Sequence, residues 1–214
     1  MAELDNHTIG LIRHAVSEIN KNYGKYLKNS PRRGPLNELL QGRESDLKKV
    51  FKDRSVKDEF KHTHSLVKNS LGVPQLELDN GVRAWTVWGI LYERDAIARD
   101  YRVIYFRESP PTYGTVVHEL FHWVCHRDFY EKFHKGDIKV GRVDEGITEF
   151  LSRKEAPWED RSGVYDSYYD EMTRFCSNQS NEAKVLEAYF GGKNIEGVKR
   201  MIQNNRRHAV MGVR

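Results

Sequence analysis

Within Thr112–Val124 two histidines, His118 and His122, stand four residues apart with Glu119 directly after the first, in the order His-Glu-Leu-Phe-His. No other feature of the chain limits its folding so strongly. Read as a helix, the segment brings both imidazoles to one face, one turn apart, where they can share a metal ion. Glu119 then lies about 100° around the axis, beside the ion without binding it. Val117, Leu120, Phe121 and Val124 fall on the opposite side, which the rest of the protein must cover. The fold has to bury one side of this helix and leave the other approachable.

A catalytic zinc ion takes three protein ligands and keeps a fourth position for water. Three residues compete for the third place. His126 is eight residues from His118, about 12 Å along a straight helix, too far to share the ion. Asp128 closes the metzincin spacing H-E-x-x-H-x-x-G-x-x-H/D, but Cys125 stands where that pattern needs a glycine to turn the chain sharply. Glu145 is the best of the three. It opens a second helical pattern, Val143–Leu151, in which Ile147, Phe150 and Leu151 form the apolar side and Glu149 follows one turn later. Glu149 or Asp144 could then hydrogen-bond the outer nitrogens of the histidines, an arrangement that fixes the imidazole tautomers.

The surroundings predict an α+β chain. Ile9, Ile12, Ala15, Ile19 and Tyr23 recur at helical spacing, and the stripe stops at Asn29-Ser30-Pro31-Arg32-Arg33-Gly34-Pro35, a turn-rich connector. Leu36 to about His64 is charged and predicted helical, with Leu39, Leu40, Leu47, Val50, Phe51 and Phe60 as its sparse apolar positions. Gln75–Leu78, the turn signal Asp79-Asn80-Gly81 and the alternating run Val82–Trp88 predict a hairpin, and Tyr101–Phe106 a further strand closed by Ser109-Pro110-Pro111. Every apolar pattern after that is helical. The expected division is an N-terminal helical segment, residues 1–70, packed on a catalytic domain, residues 71–214. Two cysteines, Cys125 and Cys176, cannot organise a disulfide framework and are expected as small buried hydrophobes.

The ordered pair of motifs, HELFH and then DEGITE, with 22 residues between His122 and Glu145, resembles the gluzincins, the thermolysin-like zinc metallopeptidases. The likeness covers about residues 112–154. It implies a zincin-like fold, a small antiparallel-containing sheet followed by the active-site helix and C-terminal helices. It also implies Zn2+ held by His118, His122 and Glu145, Glu119 as general base, Glu149 supporting His118 and Asp144 supporting His122. No G-x-M-E-N precedes the motif, which favours an endopeptidase over an aminopeptidase. More loosely, EGITEFLSR, YYDEM and EAYFGG are similar to metallopeptidase domains of bacterial polymorphic toxins and secreted effectors.

Peptide hydrolysis also needs a donor for the developing oxyanion. Tyr165, Tyr168 and Tyr169 supply three candidates at helical spacing, with His134 in reserve; the toxin likeness selects Tyr168. The low cysteine content points to a reducing cytoplasm in the producing cell, and the toxin likeness implies export by a non-classical apparatus to a target cell, with a delivery apparatus and an immunity protein as partners beside the protein or peptide substrate. The terminus MAELDNHTIG carries acids where a signal peptide needs positive charge, so general secretion is not expected. No apolar run is long enough for a membrane span. A substrate strand is expected along an edge of the small sheet, with Tyr101–Phe106 one candidate edge.

Charge distribution supports a second class of function. Residues 21–61 hold twelve Lys/Arg against six Asp/Glu, and residues 193–214 six against one, so basic flanks surround a body of net −7 in a chain of net +4. Such flanks can contact DNA or RNA, and the alternative reading is a nucleic-acid-associated zinc protein without protease activity. Structural zinc favours cysteine ligands, and these motifs contain none, which disfavours that reading.

Overall fold

The computed structural model describes residues 4–53, 84–93, 96–106, 110–134, 143–159 and 165–211. Its elements in chain order are α1 (Asn6–Leu27), α2 (Arg33–Leu40), α3 (Glu44–Val50), β1 (Phe51–Asp53), β2 (Ala84–Glu93), β3 (Ala96–Phe106), α4 (Tyr113–Val124), α5 (Arg127–His134), α6 (Val143–Glu155), α7 (Asp166–Cys176), α8 (Gln179–Gly191) and α9 (Ile195–Met211). Two compact units divide the chain: Met1–Val16 with Glu38–Trp123, and Ser17–Asn37 with Val124–Arg214.

Helix is by far the predominant structure of the described residues, so the fold is mainly helical and the α+β, zincin-like expectation is corrected. Strand-like runs predict extended backbone, but they supply only a small share of the buried side chains among the described residues. The three strands form one sheet in the order β1-β3-β2. Among strand residues whose side chains are described, Phe51, Arg102, Ile104 and Phe106 are buried, while nearly all other buried positions lie on helices. Alternation reports local conformation and says little about how much apolar area an element contributes.

In the first unit, Ile9, Ile12, Ala15 and Val16 of α1 are buried, as are Leu39 and Leu47. The charged stretch from Leu36 is not one long helix. Gly42 has φ +66°, a conformation that other residues adopt only at a cost, and it separates α2 from α3. The Arg13 guanidinium donates to the Gly42 carbonyl at 2.7 Å. Phe51–Asp53 then leaves the helix and pairs in parallel with Ile104–Phe106. Phe51 and Phe106 stack with centroids 5.9 Å apart. Phe60, His64, the Gln75–Gly81 hairpin and Ser109 lie outside the described residues.

The antiparallel partner of β3 is β2, running from Ala84 opposite Phe106 to Glu93 opposite Ala96, with a register shift at Leu91/Tyr92. Consequently β3 is the central strand, and Ile104–Phe106 is paired on both sides. The expectation of an open substrate-binding edge along Tyr101–Phe106 is corrected there, because those backbone groups already have partners.

The described residues of the second unit are helical apart from short connections. Arg33-Gly34-Pro35, expected in a connector, forms the first turn of α2, where the missing N–H of Pro35 costs no intrahelical bond. Around α5, α6 and α8 the aromatic rings of Phe129, Phe133, Tyr189 and Phe190 are essentially inaccessible. Phe129 lies 4.3 Å from Phe133 and 5.2 Å from Tyr189, centroid to centroid, the latter edge to face. Asn178 caps α8 by accepting from the Ser180 amide at 2.9 Å, worth about 1 kcal/mol. At the other end Gly192 has φ +68°, and its amide returns to the Ala188 carbonyl at 3.0 Å. Any Cβ on Gly192 would lie 2.5 Å from the His126 ring, so this glycine is needed for space as well as for conformation. Among the described residues no helix is long and apolar enough to cross a membrane.

Candidate metal centre

The His-Glu-Leu-Phe-His segment lies within α4. Val116, Val117, Leu120, Phe121 and Val124 are fully buried, so the apolar side anchors the helix as its pattern requires. Glu119 is 6% and His122 8% exposed, while His118 is half-buried. The two Nε2 atoms are 3.2 Å apart and the ring planes meet at 68°. That spacing suits a hydrogen bond between imidazoles of complementary tautomer. It also matches the edge of a tetrahedron with metal–nitrogen bonds of 2.0–2.1 Å, about 3.3 Å. A metal held by both Nε2 atoms would require each ring to carry its proton on Nδ1.

One participant escaped the sequence reading. Arg102, on β3, is only 3% exposed. Its Nη1 donates to the Trp123 carbonyl at 2.7 Å and, at 3.5 Å, to that of His122. The Trp123 indole N–H returns a bond to the Arg102 carbonyl at 3.2 Å. Residues 102, 104 and 106 share one face of the strand, and Ile104 and Phe106 are both buried, so the arginine occupies a core-facing position. A cation in register with two core residues was the signal available beforehand.

Glu145 stands in the first turn of α6, where the helix dipole favours an acid. It is half-buried, and the neighbouring Asp144 is 1% exposed. Glu149, 5% exposed, accepts at Oε1 from Arg153 Nε at 2.7 Å. Arg153 also reaches Asp166 Oδ1 at 2.6 Å and lies 4.1 Å from the Tyr169 ring centroid. The guanidinium therefore ties α6 to the start of α7.

Gly146 makes the crossing of those two helices close. A Cβ there would be 2.8 Å from the Tyr168 carbonyl oxygen and 3.0 Å from Met172 Cγ. Within a helix, Ala normally stabilises relative to Gly by about 1 kcal/mol. Here Gly146→Ala should instead lower stability by about 1–3 kcal/mol, because backbone must give way. Urea unfolding measures this directly; a raised midpoint at constant slope would contradict the close crossing.

Tyr168 packs its Cβ against Gly146 and is half-buried on α7. Its phenol is near enough to Arg206 to act on that guanidinium, which pairs with Glu171 at 2.8 Å. Tyr165 precedes α7, its carbonyl accepting from the Tyr168 and Tyr169 amides. His134 ends α5, and its side chain lies outside the described ones.

Of the other ligand candidates, His126 accepts at Nδ1 from the Asp128 amide at 3.2 Å while its own amide donates to the Tyr189 carbonyl at 2.6 Å, and Asp128 is exposed in the first turn of α5. Both cysteines are buried thiols, as expected, and they do not form a disulfide. Burial, with Glu182 nearby, pushes the Cys176 thiol up to about 12, so it carries no thiolate at neutral pH.

The ligand atoms of His118, His122 and Glu145 all lie within 4.8 Å of one another, the arrangement a single cation can occupy. Two imidazole nitrogens and one carboxylate oxygen form a donor set suited to zinc. No family model matches the chain, and neither a curated protein nor a solved structure matches it.

Proposed function

We propose that the chain is a zinc-dependent endopeptidase on a mainly helical scaffold. The grouping of His118, His122 and Glu145 supports this reading most. A set of three protein ligands would suit catalytic rather than structural zinc, which is held by four. When bound, zinc supplies Lewis acidity toward the scissile carbonyl and lowers the pKa of water at that position. Glu119 accepts the proton released as the water oxygen attacks the carbonyl carbon. The same carboxylic acid then returns it to the amine nitrogen as the C–N bond breaks. Asp144 and Glu149 orient the imidazoles, and Tyr168 donates to the oxygen on which negative charge develops.

Metal analysis of the purified chain, combined with mapping of new N-termini in a peptide mixture, tests the proposal. The expected result is about one zinc per chain, from the three-ligand count, and cleavage that a chelator abolishes. A zinc-loaded chain that binds polynucleotide in a salt-sensitive manner and opens no peptide bond would overturn it.

A further inference from the structure

We propose that Arg102 is a positioning residue for the metal centre: with Trp123 it brackets the C-terminal end of α4 and holds His122 at the pitch that its pairing with His118 requires. The inference rests on the metal-centre reading above. The helix ends at Val124, only two residues after His122. His118 lies further inside α4, whereas His122 belongs to the last turn, whose four carbonyls have no intrahelical donor. Helix ends fray, and a ligand placed on one has an ill-defined direction.

Arg102 answers that weakness with a short bond to the Trp123 carbonyl, 2.7 Å, and a longer one to the carbonyl of His122 itself, 3.5 Å. The indole bond from Trp123 to the Arg102 carbonyl closes the bracket from the other direction. Strand backbone and helix end are thus joined by bonds running both ways. Trp123 is 2% exposed, so the bracket is shielded from water. Its positive charge also faces the negative end of the α4 dipole, the favourable sense. Burying a guanidinium is costly unless its donors are used. An apolar residue would pack against Ile104 and Phe106 at less cost, so the cation's distinctive contribution is what it does to the carbonyls.

The test compares parent, Arg102→Met, Arg102→Lys and Trp123→Phe. Zinc affinity is read by competition with a chromophoric chelator, and site geometry by the visible spectrum of the cobalt-substituted chain. Both readouts are normalised to the folded fraction. Arg102→Met should weaken zinc binding about 10–100-fold, the range for groups that orient ligands, and alter the cobalt spectrum. Trp123→Phe, which keeps the cation and the ring, should weaken it by a smaller factor, and Arg102→Lys should restore part of the loss. Should Arg102→Met fail to fold, the Trp123→Phe and Arg102→Lys pair decides the matter. Parent-like zinc affinity and cobalt spectra in the folded variants would overturn the inference while leaving the metal centre intact. A parent chain that binds no zinc would overturn both.

Discussion

Glu119→Gln should keep the metal and lose cleavage. The amide is close in size to the carboxylate, and residue 119 is not among the three grouped ligands, so zinc content should equal that of the parent. What disappears is the base. Glutamine cannot accept the proton from water or return it to the leaving amine, and general acid–base catalysis contributes about 10²–10⁴-fold in rate. The effect belongs in kcat, with KM nearly unchanged, because the missing interaction operates in the transition state. Glu119 is 6% exposed on a helix whose opposite face is fully buried. A neutral substitution there leaves the packing of Val117, Leu120 and Phe121 undisturbed. Parent-rate cleavage by this variant would remove Glu119 from the mechanism.

The second large effect is thermodynamic. An ion bound by the native chain and not by the unfolded one stabilises it by mass action, about 4 kcal/mol when free ion is a thousandfold above Kd. Zinc should therefore raise the unfolding midpoint of the parent substantially. Glu145→Ala removes the anionic member of the donor set and should abolish most of that shift, leaving the metal-free stability within about 1 kcal/mol of the parent, as expected for a half-buried side chain in a first helical turn. His122→Ala should behave alike toward zinc but also cost stability without metal, since His122 is only 8% exposed. An equal zinc-induced shift in the parent and in Glu145→Ala would exclude Glu145 as a ligand.

Much of the candidate site was legible as local pattern. A spacing of four residues on a helix is a statement about one face, so the pairing of His118 with His122 follows from the covalent order once α4 forms. The apolar side of the same helix was legible for the same reason, and Val117, Leu120, Phe121 and Val124 are all buried. Glu145 was singled out through its own helical pattern and its place after the first motif. The fold class was not legible. Alternating runs mark strands without showing how little of the core they fill, and the Leu36–His64 stretch contains a helix break at Gly42 and the short strand Phe51–Asp53. Charged segments with few apolar residues carry weak periodicity, so partners distant in the chain decide their structure.

Sequence alone determined which residues could act as ligands and base, because the helical repeat converts spacing directly into direction. Tertiary structure alone decided that β3 is a central strand, that Gly146 admits the Tyr168 backbone, and that Arg102 closes the end of α4. Each of these joins groups roughly twenty or more residues apart, as with Arg102 and Trp123. No periodicity within a helix or strand reaches so far; such pairings arise when the chain buries its apolar faces and must then find partners for the polar groups carried inside with them.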